Sequence, residues 1–69
     1  MINLIIIGAG GNGQVVAANV SEINKKDKKI NFLGFLDDTI KSSKNIKVLG
    51  KINKRNISKY MKQKKNLFF

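Results

Sequence analysis

The chain has 69 residues, carries a formal net charge of +10 at pH 7 and contains no cysteine, histidine or proline. A chain of this length forms one domain at most, with a small core, because it buries only roughly 60% of the surface that its unfolded state exposes. Disulfides, thiolate catalysis, Cys/His zinc sites and a histidine base are therefore excluded for this sequence.

The apolar run near the N-terminus is too short for a signal peptide or a membrane span. It covers residues 4–7 and follows no basic segment. A signal peptide needs about 7–15 apolar residues after a basic start, and a membrane span needs about 20. We therefore expect a cytoplasmic protein with no membrane partner.

The positive charge suggests nucleic acid as one alternative partner. All the basic residues except Arg55 are lysines, and most of them lie in predicted turns or on predicted exposed faces. Arg55 alone offers the bidentate fork that reads phosphate or guanine. We favour a solvated lysine surface that attracts anions without specificity, and expect no specific nucleic-acid partner.

The first elements in chain order are a strand, a turn and a helix. Residues 3–7 are continuously apolar after Asn3 and rich in β-branched side chains, which is typical of a strand buried on both faces of a parallel sheet. Glycines dominate residues 8–13. Residues 14–23 then carry Val16, Val20 and Ile23 at helical spacing, which predicts a helix with one buried face.

A polar break at residues 24–29 precedes a second strand at residues 30–36. Its packing candidates are Ile30, Phe32, Phe35 and Leu36. Asp37 and Asp38 end this strand, residues 39–45 form a loop, and residues 46–49 form a short third strand.

The remaining residues predict one more helix and the beginning of a strand. Asn56 is the expected N-cap of a helix over residues 57–63, with Ile57, Tyr60 and Met61 facing inwards. A polar turn at residues 64–66 leads into the strand-forming residues 67–69. The order β-α-β-(β)-α-β predicts a small Rossmann-like α/β domain, a three-layer arrangement around a parallel sheet that is cut early in its fourth strand. The first strand lies centrally, with the fourth on its far side.

The glycine turn contains the motif that carries most of the chemistry. Gly8, Gly10 and Gly13 form a G-x-G-x-x-G pattern directly after a buried strand and before a helix. Gly8 permits the turn, Gly10 lets a pyrophosphate approach the backbone, and Gly13 allows close helix packing. Gly11 adds a further exposed N–H, and all these amides face the anion together with the helix dipole. The alternative is a tight strand-to-helix turn without a ligand.

Asp37 and Asp38 lie where dinucleotide-binding domains place an acid that accepts hydrogen bonds from ribose hydroxyls. The alternative is an acidic turn that helps to end the second strand. Adjacent strand residues point to opposite faces, so the two carboxylates are not expected to share a metal ion. We predict no metal site and no catalytic residue.

The motifs together resemble one family. Residues 4–17 (LIIIGAGGNGQVVA), 34–38 (GFLDD) and 48–50 (VLG) are similar to the N-terminal domain of bacterial acetyltransferases that act on sialic acid or UDP-linked amino sugars. The resemblance implies that Gly8, Gly10, Gly11 and Gly13 form a diphosphate turn. It also implies that Asp37 and Asp38 contact the nucleoside of a UDP-linked sugar. The family commonly has histidine where this chain has Asn12, which can hydrogen-bond a sugar hydroxyl or phosphate but cannot carry a proton.

The resemblance also implies a second domain. In the family a left-handed β-helix follows, forms a trimer, binds acetyl-CoA and supplies the catalytic histidine. We expect residues 1–69 to be a single, partial nucleotide-sugar-binding domain that lacks this β-helix, needs no cofactor of its own and is inactive alone. A fragment of an NAD(P)- or CoA-binding protein is the alternative, because the same strand, turn and helix serve all three.

Overall fold

The computed structural model describes residues 2–63 and 66–69, which form two helices and four strands. In chain order the elements are β1 (Ile2–Ile7), α1 (Gly11–Lys26), β2 (Ile30–Leu36), β3 (Val48–Gly50), α2 (Lys54–Gln63) and β4 (Asn66–Phe68). Lys64 and Lys65, which belong to the predicted polar turn, lie outside the described residues.

The described strands pair in parallel in the order β3-β2-β1-β4. β1 therefore lies in the interior of the sheet, hydrogen-bonded to β2 on one side and to β4 on the other. The parallel arrangement brings the carboxyl ends of the strands to one edge of the sheet, where α1 begins. The predicted Rossmann-like α/β class and the central position of the first strand are both confirmed.

The core forms on both faces of β1. Leu4 and Ile6 pack in one cluster with Val20 of α1 and Phe35 of β2. Ile5 points to the opposite face, because side chains alternate along a strand, and it is also fully buried. Burial on both faces explains why residues 4–7 of this strand are continuously apolar in sequence.

Helix α1 is longer than predicted at both ends. It begins at Gly11 within the glycine turn and ends at Lys26, beyond the start of the predicted polar break. Lys25 and Lys26 are favourable there, because cations stabilise the negative C-terminal end of a helix. The prediction that Ile23 is packed was wrong, since this side chain is 48% exposed.

Asn24, which the sequence placed in the polar break, joins α1 to β2. Its side-chain amide donates to the carbonyl of Ile30 at 2.7 Å, and its Oδ1 accepts the Ile30 N–H at 3.1 Å. Asn24, a residue of the predicted polar break, thus fixes the connection between α1 and β2.

Helix α2 is capped by Asn53, not by Asn56 as predicted. Asn53 Oδ1 accepts the N–H of Asn56 at 2.8 Å, and its carbonyl accepts the N–H of Ile57 at 3.0 Å. Asn56 lies inside the helix and donates its side-chain amide to the Lys51 carbonyl. The inward placement of Met61 was also wrong, because this side chain is 65% exposed.

The third strand is shorter than predicted and begins at Val48. Ile46 lies in the preceding loop, where its backbone exchanges two hydrogen bonds with Ser43. Its side chain packs against the core from that position. The connection between β2 and β3 is therefore an irregular loop, where a larger α/β domain commonly has a helix.

Candidate functional site

The backbone that leads from β1 into the first turn of α1 requires glycine at two positions, Gly8 and Gly13. Gly8 has a φ of +95°, a conformation that side chains disfavour, and its N–H donates to the Leu36 carbonyl at 2.7 Å. At Gly13 a Cβ atom would overlap the carbonyl oxygen of Gly8. These two glycines have the turn-forming and packing roles that the motif predicts.

The two central glycines are open to solvent. A Cβ atom at Gly10 or Gly11 would meet no atom within 4 Å. Gly10 is the N-cap of α1 and provides no side-chain cap, and the first turn of the helix has no acidic residue. The positive end of a 16-residue helix therefore faces open space, next to a backbone that a ligand can approach closely.

Ala9 lies between Gly8 and Gly10 and is fully buried. Its N–H donates to Asp37 Oδ2 at 2.7 Å, and its carbonyl accepts Gln14 Nε2 at 2.9 Å. Side chains from the end of β2 and from α1 thus hold both polar backbone groups of one turn residue. Sequence reasoning did not identify Gln14, which follows the motif immediately and carries an amide donor.

Asp37 accepts hydrogen bonds with both carboxylate oxygens. Oδ2 accepts from Ala9, while Oδ1 accepts the N–H groups of Thr39 at 2.8 Å and Ile40 at 2.7 Å and the Thr39 hydroxyl at 3.2 Å. The backbone N–H groups of Ala9, Ile40 and Thr39 favour the charged form and lower the pKa of Asp37 from 3.8 to about 2. The carboxylate is therefore ionised at neutral pH. Oδ2 retains acceptor capacity, because a carboxylate oxygen accepts about two hydrogen bonds.

Asp38, like Asp37, follows the end of β2, and its carboxylate has a different hydrogen-bond partner. Its Oδ1 accepts the Ile52 N–H at 2.9 Å, after the end of β3. The two carboxylates have separate partners, and no group of three His, Cys, Asp or Glu residues that could hold a metal ion occurs among residues 2–63 and 66–69.

Cavities flank the glycine turn on both sides. On the β2 and β3 side, a cavity of about 240 Å³ is lined by Asp37, Asp38, Thr39, Ile40, Lys41, Ser42, Val48, Gly50 and Lys51. On the β4 side, a cavity of about 250 Å³ is lined by Ile6, Ile7, Asn12, Gly13, Val16 and Phe69. Asn12 is exposed at the start of α1. The structure thus brings the predicted site residues to one edge of the sheet, with Asn12 and the aspartates on opposite sides of the turn.

A larger cavity, of about 420 Å³, borders Gln14 beside the glycine turn, and none of its lining residues is a glycine. It is lined by Gln14, Ala17, Ala18, Phe32, Phe35, Ser43, Asn45 and Ile46. It opens between α1 and the irregular loop that connects β2 to β3. We take the glycine turn as the candidate functional site, because the uncapped helix end and the Asp37 carboxylate lie there.

Neither described helix combines the length and apolar character that crossing a bilayer requires.

One of three comparisons with known proteins identifies a family. A family model described as the PglD N-terminal domain matches residues 3–69. No curated protein and no solved structure matches the chain. The family match covers all the predicted site residues and confirms the resemblance found in the sequence. The chain belongs to the family of N-terminal domains of PglD-like sugar acetyltransferases.

Proposed function

We propose that this domain binds a UDP-linked sugar and presents it for acetylation. The observation that carries the proposal is the uncapped N-terminus of α1 beside Gly10 and Gly11, where a Cβ atom would meet nothing within 4 Å. Backbone N–H groups at a helix start are suited to an anion, and the aligned peptide dipoles favour negative charge there. The diphosphate of the ligand fits this position.

The nucleoside extends towards the aspartates in this proposal. The cavity beside Asp37 and Asp38 lies at the carboxyl ends of β2 and β3, where open α/β sheets bind nucleosides. Oδ2 of Asp37 has capacity for one ribose hydroxyl besides the Ala9 N–H. Ile40 and Val48 offer apolar contacts to the base, and Lys41 and Lys51 add positive charge at the rim.

The sugar extends in the opposite direction, past Asn12. This side chain is exposed, lines the cavity on the β4 side and has both a donor and an acceptor for hydroxyl groups. In this proposal the charged part of the ligand lies in the middle, at the turn between the two cavities. A nucleoside, a diphosphate and a sugar occur in this order in a UDP-linked sugar.

In this role the chain orients its ligand, and the acetyl transfer depends on other groups. We expect acetyl-CoA and the catalytic histidine to be supplied by the β-helix domain that the family resemblance implies. The high net charge of +10 supports the proposal in a general way, because it raises the local concentration of anionic ligands.

A titration monitored by backbone amide chemical shifts tests this function. Addition of UDP is expected to move the signals of Gly10, Gly11 and Gly13 most, followed by those of residues 37–40. Uridine is expected to affect the second group only. Preferential saturation by NAD, or UDP-induced shifts elsewhere in the chain, would contradict the proposal.

A further inference from the structure

Gln14 is bonded to two consecutive carbonyl groups of the glycine turn. Its side-chain Nε2 donates to the Ala9 carbonyl at 2.9 Å, and its backbone N–H donates to the Gly10 carbonyl at 3.0 Å. The backbone bond is the first of the helix and would form with any residue at this position except proline. The side-chain bond needs a donor of suitable length.

The side-chain bond determines the direction of a neighbouring N–H. The described residues contain no cis peptide bond, and in a trans peptide the C=O and the following N–H point in opposite directions. Since Gln14 holds the Ala9 carbonyl towards the helix, the Gly10 N–H points away from it. The peptide on the other side of Ala9 is held in the same manner, because the Ala9 N–H donates to Asp37.

We propose that Gln14 is a positioning residue for the glycine turn. Its side chain orients the Gly10 N–H towards the diphosphate site before the ligand binds. The proposal rests on the function proposed above. Without the side-chain bond, the peptide between Ala9 and Gly10 can rotate, because glycine imposes little restriction on its own backbone. Part of the binding free energy is then used to order it.

The test compares the full chain with two variants, Gln14→Met and Asn19→Met. Methionine has a length and helix propensity close to those of glutamine but no N–H donor. Asn19 is an exposed amide further along α1, so its replacement controls for the loss of an amide and the gain of a thioether. Affinities for UDP and for uridine are measured for each protein by chemical-shift titration.

We expect Gln14→Met to weaken UDP binding about threefold to tenfold, which is the effect of losing one hydrogen bond. Uridine affinity is expected to stay within about twofold, since uridine has no diphosphate to reach the turn. The UDP-induced shift of the Gly10 amide is expected to decrease more than those of Gly11 and Gly13. Asn19→Met is expected to behave as the unmodified chain.

Two results overturn the positioning role while leaving the proposed function intact. One is unchanged UDP affinity in Gln14→Met. The other is an equal loss for UDP and uridine, which would indicate general loosening of the fold. Failure of the unmodified chain to bind UDP would instead overturn the proposed function, and the role of Gln14 with it.

Discussion

A Cβ atom at Gly13 would overlap the carbonyl oxygen of Gly8, so the first turn of α1 lies directly against the backbone that leaves β1. The same Cβ would also lie 3.4 Å from Cγ2 of Ile6, within the core. This approach brings the end of the helix, with its N–H groups, to the edge of the sheet.

Gly13→Ala is therefore expected to destabilise the domain. Alanine normally stabilises a helix by about 1 kcal/mol relative to glycine, but here the helix must move away from backbone atoms that cannot easily yield. We expect a net loss of about 1–3 kcal/mol in the free energy of unfolding, as for other overpacked sites. Urea denaturation followed by circular dichroism measures it, and equal or increased stability would contradict the packing argument.

Gly10→Ala is the counterpart of Gly13→Ala: it makes the same substitution in the same segment, but it tests ligand binding and not packing. The added Cβ meets no atom within 4 Å, so the fold has room for it. Alanine is a poorer N-cap than glycine, at a cost of about 0.5–1 kcal/mol, and the reduced freedom of the unfolded chain offsets about 0.4–1 kcal/mol. Stability should therefore change little.

UDP affinity of Gly10→Ala should fall about tenfold or more, since the methyl group prevents close approach and weakens charge-assisted bonds from the backbone. Calorimetric titration with UDP measures this loss. Undiminished affinity in a folded Gly10→Ala variant would show that the diphosphate binds elsewhere.

The stability of the domain should depend on the ionisation of Asp37. Its pKa is lowered from 3.8 to about 2 by the N–H groups of Ala9, Ile40 and Thr39. A carboxylate whose pKa is lower in the folded state contributes stability that is complete above the unfolded pKa and is lost as the pH falls through the folded one. Stability should therefore decrease between about pH 4 and pH 2.

Urea denaturation at several pH values measures this decrease. Asp37→Asn should flatten the pH dependence in that window, because the variant has no charge to lose. Asp38→Asn is the control at the adjacent position, where the carboxylate accepts one backbone N–H. An identical slope for Asp37→Asn and the unmodified chain would argue against the assignment.

Asn53→Ala should destabilise α2 by about 1 kcal/mol, the usual effect of removing an N-cap side chain. The reason is that Asn53 Oδ1 accepts the Asn56 N–H at 2.8 Å. Asn56→Ala serves for comparison, as it removes the bond to the Lys51 carbonyl and leaves the cap in place. Amide exchange at Asn56 should accelerate in Asn53→Ala, and unchanged exchange there would contradict the capping role.

The sequence predicts the fold well where local pattern and tertiary environment agree. Residues 4–7 are apolar because both faces of β1 are buried, so the strand and its central position follow from composition. The glycine spacing likewise predicts the turn and the contact between Gly8 and Gly13, because few other residues permit either.

Sequence reasoning missed two kinds of detail. Some depend on contacts that form only in the folded chain, and others depend on a choice between residues that suit the same position equally well. Asn53 and Asn56 are both suitable caps, and local pattern does not distinguish them. Ile23 and Met61 follow helical spacing but point to surfaces that no other described element covers. The bond from Ala9 to Asp37 exists only once β2 lies beside β1, so no local motif encodes it. The bond from Gln14 to Ala9 spans only five residues, but the glycine pattern does not specify it.

The central position of β1 also affects how the domain forms during synthesis. β1 is translated before the other described strands, but its neighbour on one side is β4, which emerges from the ribosome after the other three described strands. Until then, one hydrogen-bonding edge of the most buried segment stays unsatisfied and available to other chains. Pairing of nascent chains through this edge is therefore a hazard that the strand order itself creates.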